Sequence, residues 1–154
     1  MTDAELMEQN LLAAADSGTD LREAVFAQFF AAYPDRRPLF YSEEAAQPRM
    51  TNETLDMLYG LATDEKWVWF QIAALVFNHR NYGDFALGEY EAFVDMLVRA
   101  VSMASGDSWS TAHEAAWVRQ ADESLRQQAR VPMGIHELVV GTVCGGSDGT
   151  SGIT

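Results

Sequence analysis

The sequence has a single cysteine and no long apolar run. Because Cys144 is alone, no internal disulfide and no metal cluster of cysteine thiolates can form. No stretch approaches the roughly eighteen apolar residues of a membrane-spanning helix. The acidic N-terminus also lacks the basic and apolar segments of a signal peptide. We therefore expect a cytoplasmic protein in a reducing compartment, without a membrane partner.

Basic residues are scarce as well. The 154 residues include 10 Lys and Arg against 23 Asp and Glu, which gives a formal net charge of −13. Such a chain repels a phosphate backbone, so nucleic acid is not an expected partner. The acidity favours solubility and could also steer a basic redox partner. Hydrophobic residues make up 48% of the chain, which is ample for the core of one domain.

Apolar residues recur at helical spacing along most of the chain. One stripe begins after Asp20 and is broken by Pro34 and Pro38. Its members are Leu21, Val25, Phe29 and Tyr33. Further helices are predicted near residues 5–15, 50–61, 65–80, 88–105 and 108–131.

Polar residues at the ends of these stripes predict where two of the helices begin. Thr63 has the chemistry of an N-cap, and Asp64 and Glu65 would place carboxylates in the first turn that follows. Gly106 ends the stripe before it, and Ser108 is the expected start of the last helix.

The predicted helices form one domain. No alternating strand pattern is present, and the apolar run at residues 135–140 is too short to imply a sheet. Residues 141–154 are rich in Gly, Ser and Thr and are predicted to be a flexible tail. We expect an all-α fold of about six to eight helices, with residues 1–140 as its domain.

Three segments, none of them specific by itself, carry aromatic residues and a histidine whose combined order is informative. The first, FAQFFAAYPDRRPLF, runs from Phe26 to Phe40. The second, NHRNYGDF, places His79 near the end of a predicted helix, and the third, GDSW followed by EAAW, ends at Trp117. Over about residues 20–128 their order and spacing resemble the globin family, especially bacterial single-domain and flavohaemoglobin-like globins. The resemblance implies a globin fold that encloses haem b.

The resemblance makes His79 the proximal ligand of the haem iron. A haem needs a flat apolar slot and one neutral imidazole that is held rigidly, and His79 lies on an otherwise apolar helix. Its other ring N–H is expected to bond a carbonyl one turn earlier, near Leu75. The alternative is a structural histidine that suits the C-terminal end of the helix dipole. His113, expected to be exposed in a first helical turn, and His136 are poorer ligands.

Two alignments of the distal side remain. One places Met50 opposite the iron with Thr54 one turn on, and the other makes Gln47 and Pro48 the distal pair. Phe26 stands where bacterial globins often have a tyrosine. With Phe26 and Met50, only Thr54 could donate a hydrogen bond to bound dioxygen, so fast dioxygen loss is expected. Met50 could also ligate the iron through its thioether sulfur.

The resemblance assigns further residues to the haem surroundings. Phe40 matches the phenylalanine that packs flat on the haem, and Tyr90 matches a tyrosine that bonds toward the proximal histidine. The glutamate that accompanies this tyrosine has no counterpart among Gln127, Gln128 and Arg130, which weighs against dioxygenase or peroxidase-like activity. The predicted haem-contact residues are Phe26, Phe40, Gln47, Met50, Thr54, Leu75, Phe85, Tyr90 and Val94.

Four arginines are candidates to pair with the haem propionates, and the alternative is that they are solubilising surface charges. They are Arg36, Arg37, Arg49 and Arg80.

These assignments imply a protein that reversibly binds O2, NO or CO, in oxygen handling or in nitric-oxide removal. The chain has no room for flavin and nicotinamide domains, so turnover would need a separate reductase. One alternative is a gas or redox sensor that signals through a homodimer face on the last two long helices. Another is a globin-shaped protein without haem, in which His79 would be structural.

Overall fold

A computed structural model describes residues 1–130, and all regular structure within that range is helical. The α-helices are α1 (Asp3–Ser17), α2 (Leu21–Ala32), α3 (Glu43–Ala62), α4 (Trp67–Arg80), α5 (Leu87–Ser105) and α6 (Thr111–Gln128). Two 3₁₀ segments, Pro34–Leu39 and Gly106–Ser108, follow α2 and α5. For the described residues the all-α prediction is confirmed, and the number of helices is that of a globin-like fold.

Side-chain caps fix the first two helices. Thr2 accepts a hydrogen bond from the Glu5 amide at 3.2 Å, and the Glu5 carboxylate accepts one from the Thr2 amide at 2.7 Å. Asp20 accepts from the Glu23 amide at 3.1 Å, so α2 begins where the sequence predicts. Pro34 then starts the first 3₁₀ segment.

Two predicted helix starts are wrong. Thr63 is the C-cap of α3, and its hydroxyl lies 3.1 Å from the Tyr59 carbonyl oxygen. Asp64 has a left-handed φ of 57°, so the chain turns there and α4 begins only at Trp67. Ser108 lies within the second 3₁₀ segment, and α6 begins after Ser110 instead.

The main core surrounds Trp117 of α6. Leu58 from α3, Met7 from α1 and Val101 from α5 are buried with this indole. The indole Nε1 donates to Oδ1 of buried Asn10 at 3.1 Å, which satisfies the ring's one donor. This core therefore joins four helices.

The prediction that His113 is exposed is wrong. Its ring is buried and stacks on Trp109, with the ring centroids 6.4 Å apart. Its Nε2 lies 3.2 Å from Gln9 Oε1, and its Nδ1 lies 2.7 Å from the Ser110 hydroxyl oxygen. The cause is long-range, because α1 packs against α6 and covers this turn.

Several sequence predictions concern residues outside the described range. They are the short run at 135–140, the tail at 141–154, His136 and Cys144. Within residues 1–130, no helix has both the length and the apolar character needed to cross a membrane.

Candidate functional site

His79 lies in the last turn of α4 and is oriented by its own helix. Its Nδ1 lies 2.8 Å from the carbonyl oxygen of Leu75. A carbonyl oxygen can only accept, so Nδ1 carries the proton and, in the neutral ring, Nε2 keeps its lone pair. The predicted hydrogen bond is thus confirmed. This tautomer leaves a nitrogen lone pair that could ligate a metal on the side of the ring away from Leu75.

Two aromatic rings fix the plane of the imidazole. Phe85 and Tyr90 meet the His79 ring edge-on, with centroid distances of 5.6 and 5.4 Å. Phe85 comes from the turn after α4, and Tyr90 from the first turn of α5. The structure therefore brings the predicted proximal residues together.

Tyr90 contacts His79 through its ring, and no hydrogen bond joins their side chains in the described structure. The pKa of Tyr90 lies above its ordinary value, chiefly because partial burial disfavours the phenolate. Glu89 raises this pKa further through its charge, and Arg80 opposes it. The hydroxyl is consequently protonated at neutral pH.

A bidentate ion pair holds the turn that carries Phe85. Arg36, in the first 3₁₀ segment, donates from Nε and Nη2 to the two carboxylate oxygens of Glu89, each at 2.7 Å. The same guanidinium lies over the Phe85 ring, 4.6 Å from its centroid. Arg36 also keeps the pKa of Glu89 below its ordinary value, although partial burial acts in the opposite direction.

A second contact joins the same two loops. The rings of Tyr41 and Tyr82 lie 6.4 Å apart between centroids. Tyr41 directly follows Phe40, and Tyr82 comes three residues after His79. The corner that carries Phe40 and the end of α4 that carries His79 therefore meet at one edge of the molecule.

The predicted distal aromatics form a cluster of their own. The Phe26 ring is buried and lies 5.6 Å from that of Phe40 between centroids. Met50 of α3 packs against the same cluster. Phe93 of α5, which is not among the predicted site residues, is also part of it at 5.5 Å from Phe26. The only sequence signal for Phe93 is its position three residues after Tyr90 on the same helix.

The hydroxyl groups on the inner face of α3 are already engaged. Thr54 is buried and donates to the Met50 carbonyl at 2.8 Å. Thr51, also buried, donates to the Gln47 carbonyl at 2.9 Å. Gln47 donates from Nε2 to a Glu43 carboxylate oxygen at 2.9 Å, which leaves one amide proton. Neither threonine can then donate to a ligand without giving up its hydrogen bond to the α3 backbone.

One helix of this fold has incomplete apolar cover. α4 packs along α3 and α6, whereas it meets α5 mainly through the His79 and Tyr90 rings and has at most a marginal contact with α2. Most residues of α4 are apolar, yet only Val68 and Ile72 of this helix are buried. The last two turns leave Leu75, Val76 and Phe77 half-buried beside His79. Part of the apolar surface of these side chains is therefore open to contact with a bound apolar group.

Three of the predicted haem-contact residues lie away from the His79 rings. Val94 is buried in the main core with Leu58 and Trp117, and the structure does not join it to the His79 rings. Gln47 and Phe26 line an open groove of about 450 Å³ between α2 and the start of α3. Gln47 thus lies at the groove, and Met50 lies against the aromatic cluster, so both distal alignments remain.

The four candidate arginines differ in their partners. Arg36, Arg37 and Arg49 pair with carboxylates of Glu89, Glu43 and Glu53. Arg80 instead lies over the Phe77 ring, and its Nε and Nη2 are buried without a hydrogen-bond partner in residues 1–130. Arg80 is therefore the candidate with N–H groups free to donate to a carboxylate.

Metal-ligating side chains do not gather into a cluster in the described part of the chain. No three His, Cys, Asp or Glu residues meet as a bare metal ion would require. A haem iron needs far less from the protein, since the porphyrin supplies its other nitrogens. One histidine such as His79 would meet the ligand requirement of a haem iron but not that of a free ion.

Comparison with known protein families and with curated proteins gives no match for this chain.

Proposed function

We propose that this chain is a haem-binding globin that reversibly binds a diatomic gas. The observation that carries the proposal is the tautomer of His79, whose Nδ1 proton is held by the Leu75 carbonyl. That bond leaves Nε2 as a ligand on a helix that the rest of the fold covers incompletely. The alternative role, a structural histidine at the helix C-terminus, is compatible with the same bond but makes no use of Nε2.

The residues around His79 fit a haem. Phe85 and Tyr90 would hold the imidazole plane, and the half-buried side chains of α4 would face the porphyrin. Arg80 would pair with a propionate, because its guanidinium nitrogens lack another partner. When bound, the haem supplies the iron at which a gas ligand is held.

The distal residues set the expected ligand preference. With Met50 opposite the iron, the engaged hydroxyl of Thr54 and the apolar side chains of Phe26 and Met50 give bound dioxygen no direct donor. A distal Gln47 would instead offer its remaining amide proton. Carbon monoxide and nitric oxide depend less on such a donor, so the pocket favours them relative to dioxygen. Reversible binding of these gases is then the role that suits this chemistry, and the missing glutamate weighs against nitric-oxide dioxygenation.

The proposal is tested by titrating the purified chain with haemin. We expect a Soret band that saturates at an equimolar ratio, and weaker binding in His79→Gly that added imidazole restores. Asn78→Ala, an exposed change on the same turn, is the matched control and should bind as the wild type does. Absence of a Soret band, or equal haem affinity in His79→Gly, would contradict the proposal.

A further inference from the structure

The first turn of α4 presents three large aromatic side chains to solvent. Trp67, Trp69 and Phe70 are all exposed, and 73% of the Phe70 surface is accessible. These three residues are named the aromatic face. Single apolar residues on a surface are ordinary, but a contiguous group marks a surface that another segment or molecule covers.

A small groove of about 110 Å³ adjoins the aromatic face. Trp69 lines it on one side, and Leu61 and Gln127 line it on the other. Gln127 donates from Nε2 to Glu123 at 3.0 Å, but its Oε1 is buried without a donor in the described structure. The groove is therefore short of one hydrogen-bond donor as well as apolar cover.

The chain itself continues from this groove. α6 packs against α4 and ends at Gln128, one residue after Gln127. Soon afterwards comes the segment VPMGIHELVVGTV, residues 131–143, which is largely apolar and has Glu137 as its one acidic residue. Thirteen residues can extend to about 43 Å, about twice the roughly 21 Å length of a 14-residue helix such as α4.

We propose that residues 131–143 of the same chain bind the aromatic face and the groove beside it. Their apolar side chains cover Trp67, Trp69 and Phe70, and a backbone N–H donates to Oε1 of Gln127. Lys66, the chain's single lysine, lines the groove beside Asp64 and Glu65 and is the one group there whose charge is complementary to Glu137. A second copy is the weaker candidate, because each copy has a formal net charge of −13 whereas a tethered segment acts at a millimolar effective concentration.

The single lysine allows a direct test on the full chain. A carbodiimide joins a lysine amine to a carboxylate without a spacer, so only groups in contact are linked. We expect a Lys66–Glu137 link in the monomer band, and its loss in Val139→Asp and in Phe70→Ser. Thr142→Asp adds the same charge at a polar position of the segment and should keep the link. Circular dichroism checks that each variant is folded.

Tryptophan accessibility supplies a second readout. Acrylamide should quench the fluorescence of Val139→Asp more than that of the wild type or Thr142→Asp, because Trp67 and Trp69 become uncovered. Links from Lys66 to neighbouring loop carboxylates alone would overturn the proposal. So would a Lys66–Glu137 link that survives Val139→Asp, which would reflect the tether only, or one confined to a dimer band. None of these readouts requires haem.

Discussion

Gly60 of α3 lies against the start of α4, and the effect of replacing it should change sign with the residue at position 68. A Cβ at this position would lie 2.5 Å from Val68 Cγ2 and 3.0 Å from Trp67 Cζ2. Carbon atoms pack at about 3.5–4.0 Å, so Val68, which is buried, cannot stay where it is. Trp67 is partly exposed and can move its ring more easily.

The magnitude follows from two opposing effects. Overpacking of a buried contact costs about 1–3 kcal/mol. Alanine in place of glycine within a helix stabilises the fold by roughly 1 kcal/mol. We therefore expect Gly60→Ala to lower the free energy of unfolding by up to about 2 kcal/mol. In a Val68→Ala background the methyl conflict is gone, and the same change should stabilise the fold by up to roughly 1 kcal/mol.

Urea unfolding followed by circular dichroism measures all four members of this cycle. Gly88→Ala is the matched control, because Gly88 lies in the first turn of α5 with nothing within 4 Å of an added Cβ. Its change in the free energy of unfolding should reflect only the higher helix preference of alanine, without a packing conflict. If Gly60→Ala stabilises the wild-type chain as much as Gly88→Ala does, or shows no coupling to Val68, the close approach of α3 and α4 is refuted.

Three further predictions concern the site and the core. Glu89→Gln should weaken the dependence of folding stability on acid pH. Arg36 lowers the pKa of Glu89, so the stability that this carboxylate contributes is complete above its ordinary pKa near 4.5 and is lost as pH falls through the lowered pKa. Urea unfolding midpoints at pH 7 and at acid pH measure this difference. Phe26→Tyr should slow dioxygen loss about tenfold or more in stopped-flow experiments, since a hydrogen bond to a partly charged ligand contributes about 1.5–3 kcal/mol; unchanged rates would place the ring outside the distal face. Asn10→Ala should lower the free energy of unfolding by about 1–3 kcal/mol, because it removes the acceptor of the buried Trp117 indole N–H. Thermal unfolding that shows no loss of stability would contradict the role of that hydrogen bond.

Features that depend on nearby residues were predictable from the sequence. The start of α2 after Asp20 follows from its capping oxygen, and its end follows from Pro34. The bond from His79 to Leu75 is also local, because a helix places the carbonyl of residue i−4 beside the ring. These features require no knowledge of which helices pack together.

Features that depend on distant residues were not predictable. His113 is polar and lies in a first turn, yet α1 buries it, with Gln9 104 positions away. The ion pair that holds Phe85 joins Arg36 to Glu89 across 53 positions and has no periodic signal. Thr63 has the chemistry of an N-cap, but the left-handed turn at Asp64 makes it the end of α3 instead.

The direct test of the central claim is the iron–histidine stretching mode in the resonance Raman spectrum of the ferrous, ligand-free haem complex. Our account predicts a single mode that shifts when the histidine nitrogens are isotopically labelled and that disappears in His79→Gly. His113 is buried between α1 and α6 and cannot replace His79 as the ligand. Persistence of this mode in His79→Gly would contradict the assignment of His79 as the proximal ligand. So would its absence in Met50→Ala, where no thioether can occupy the other axial position of the iron.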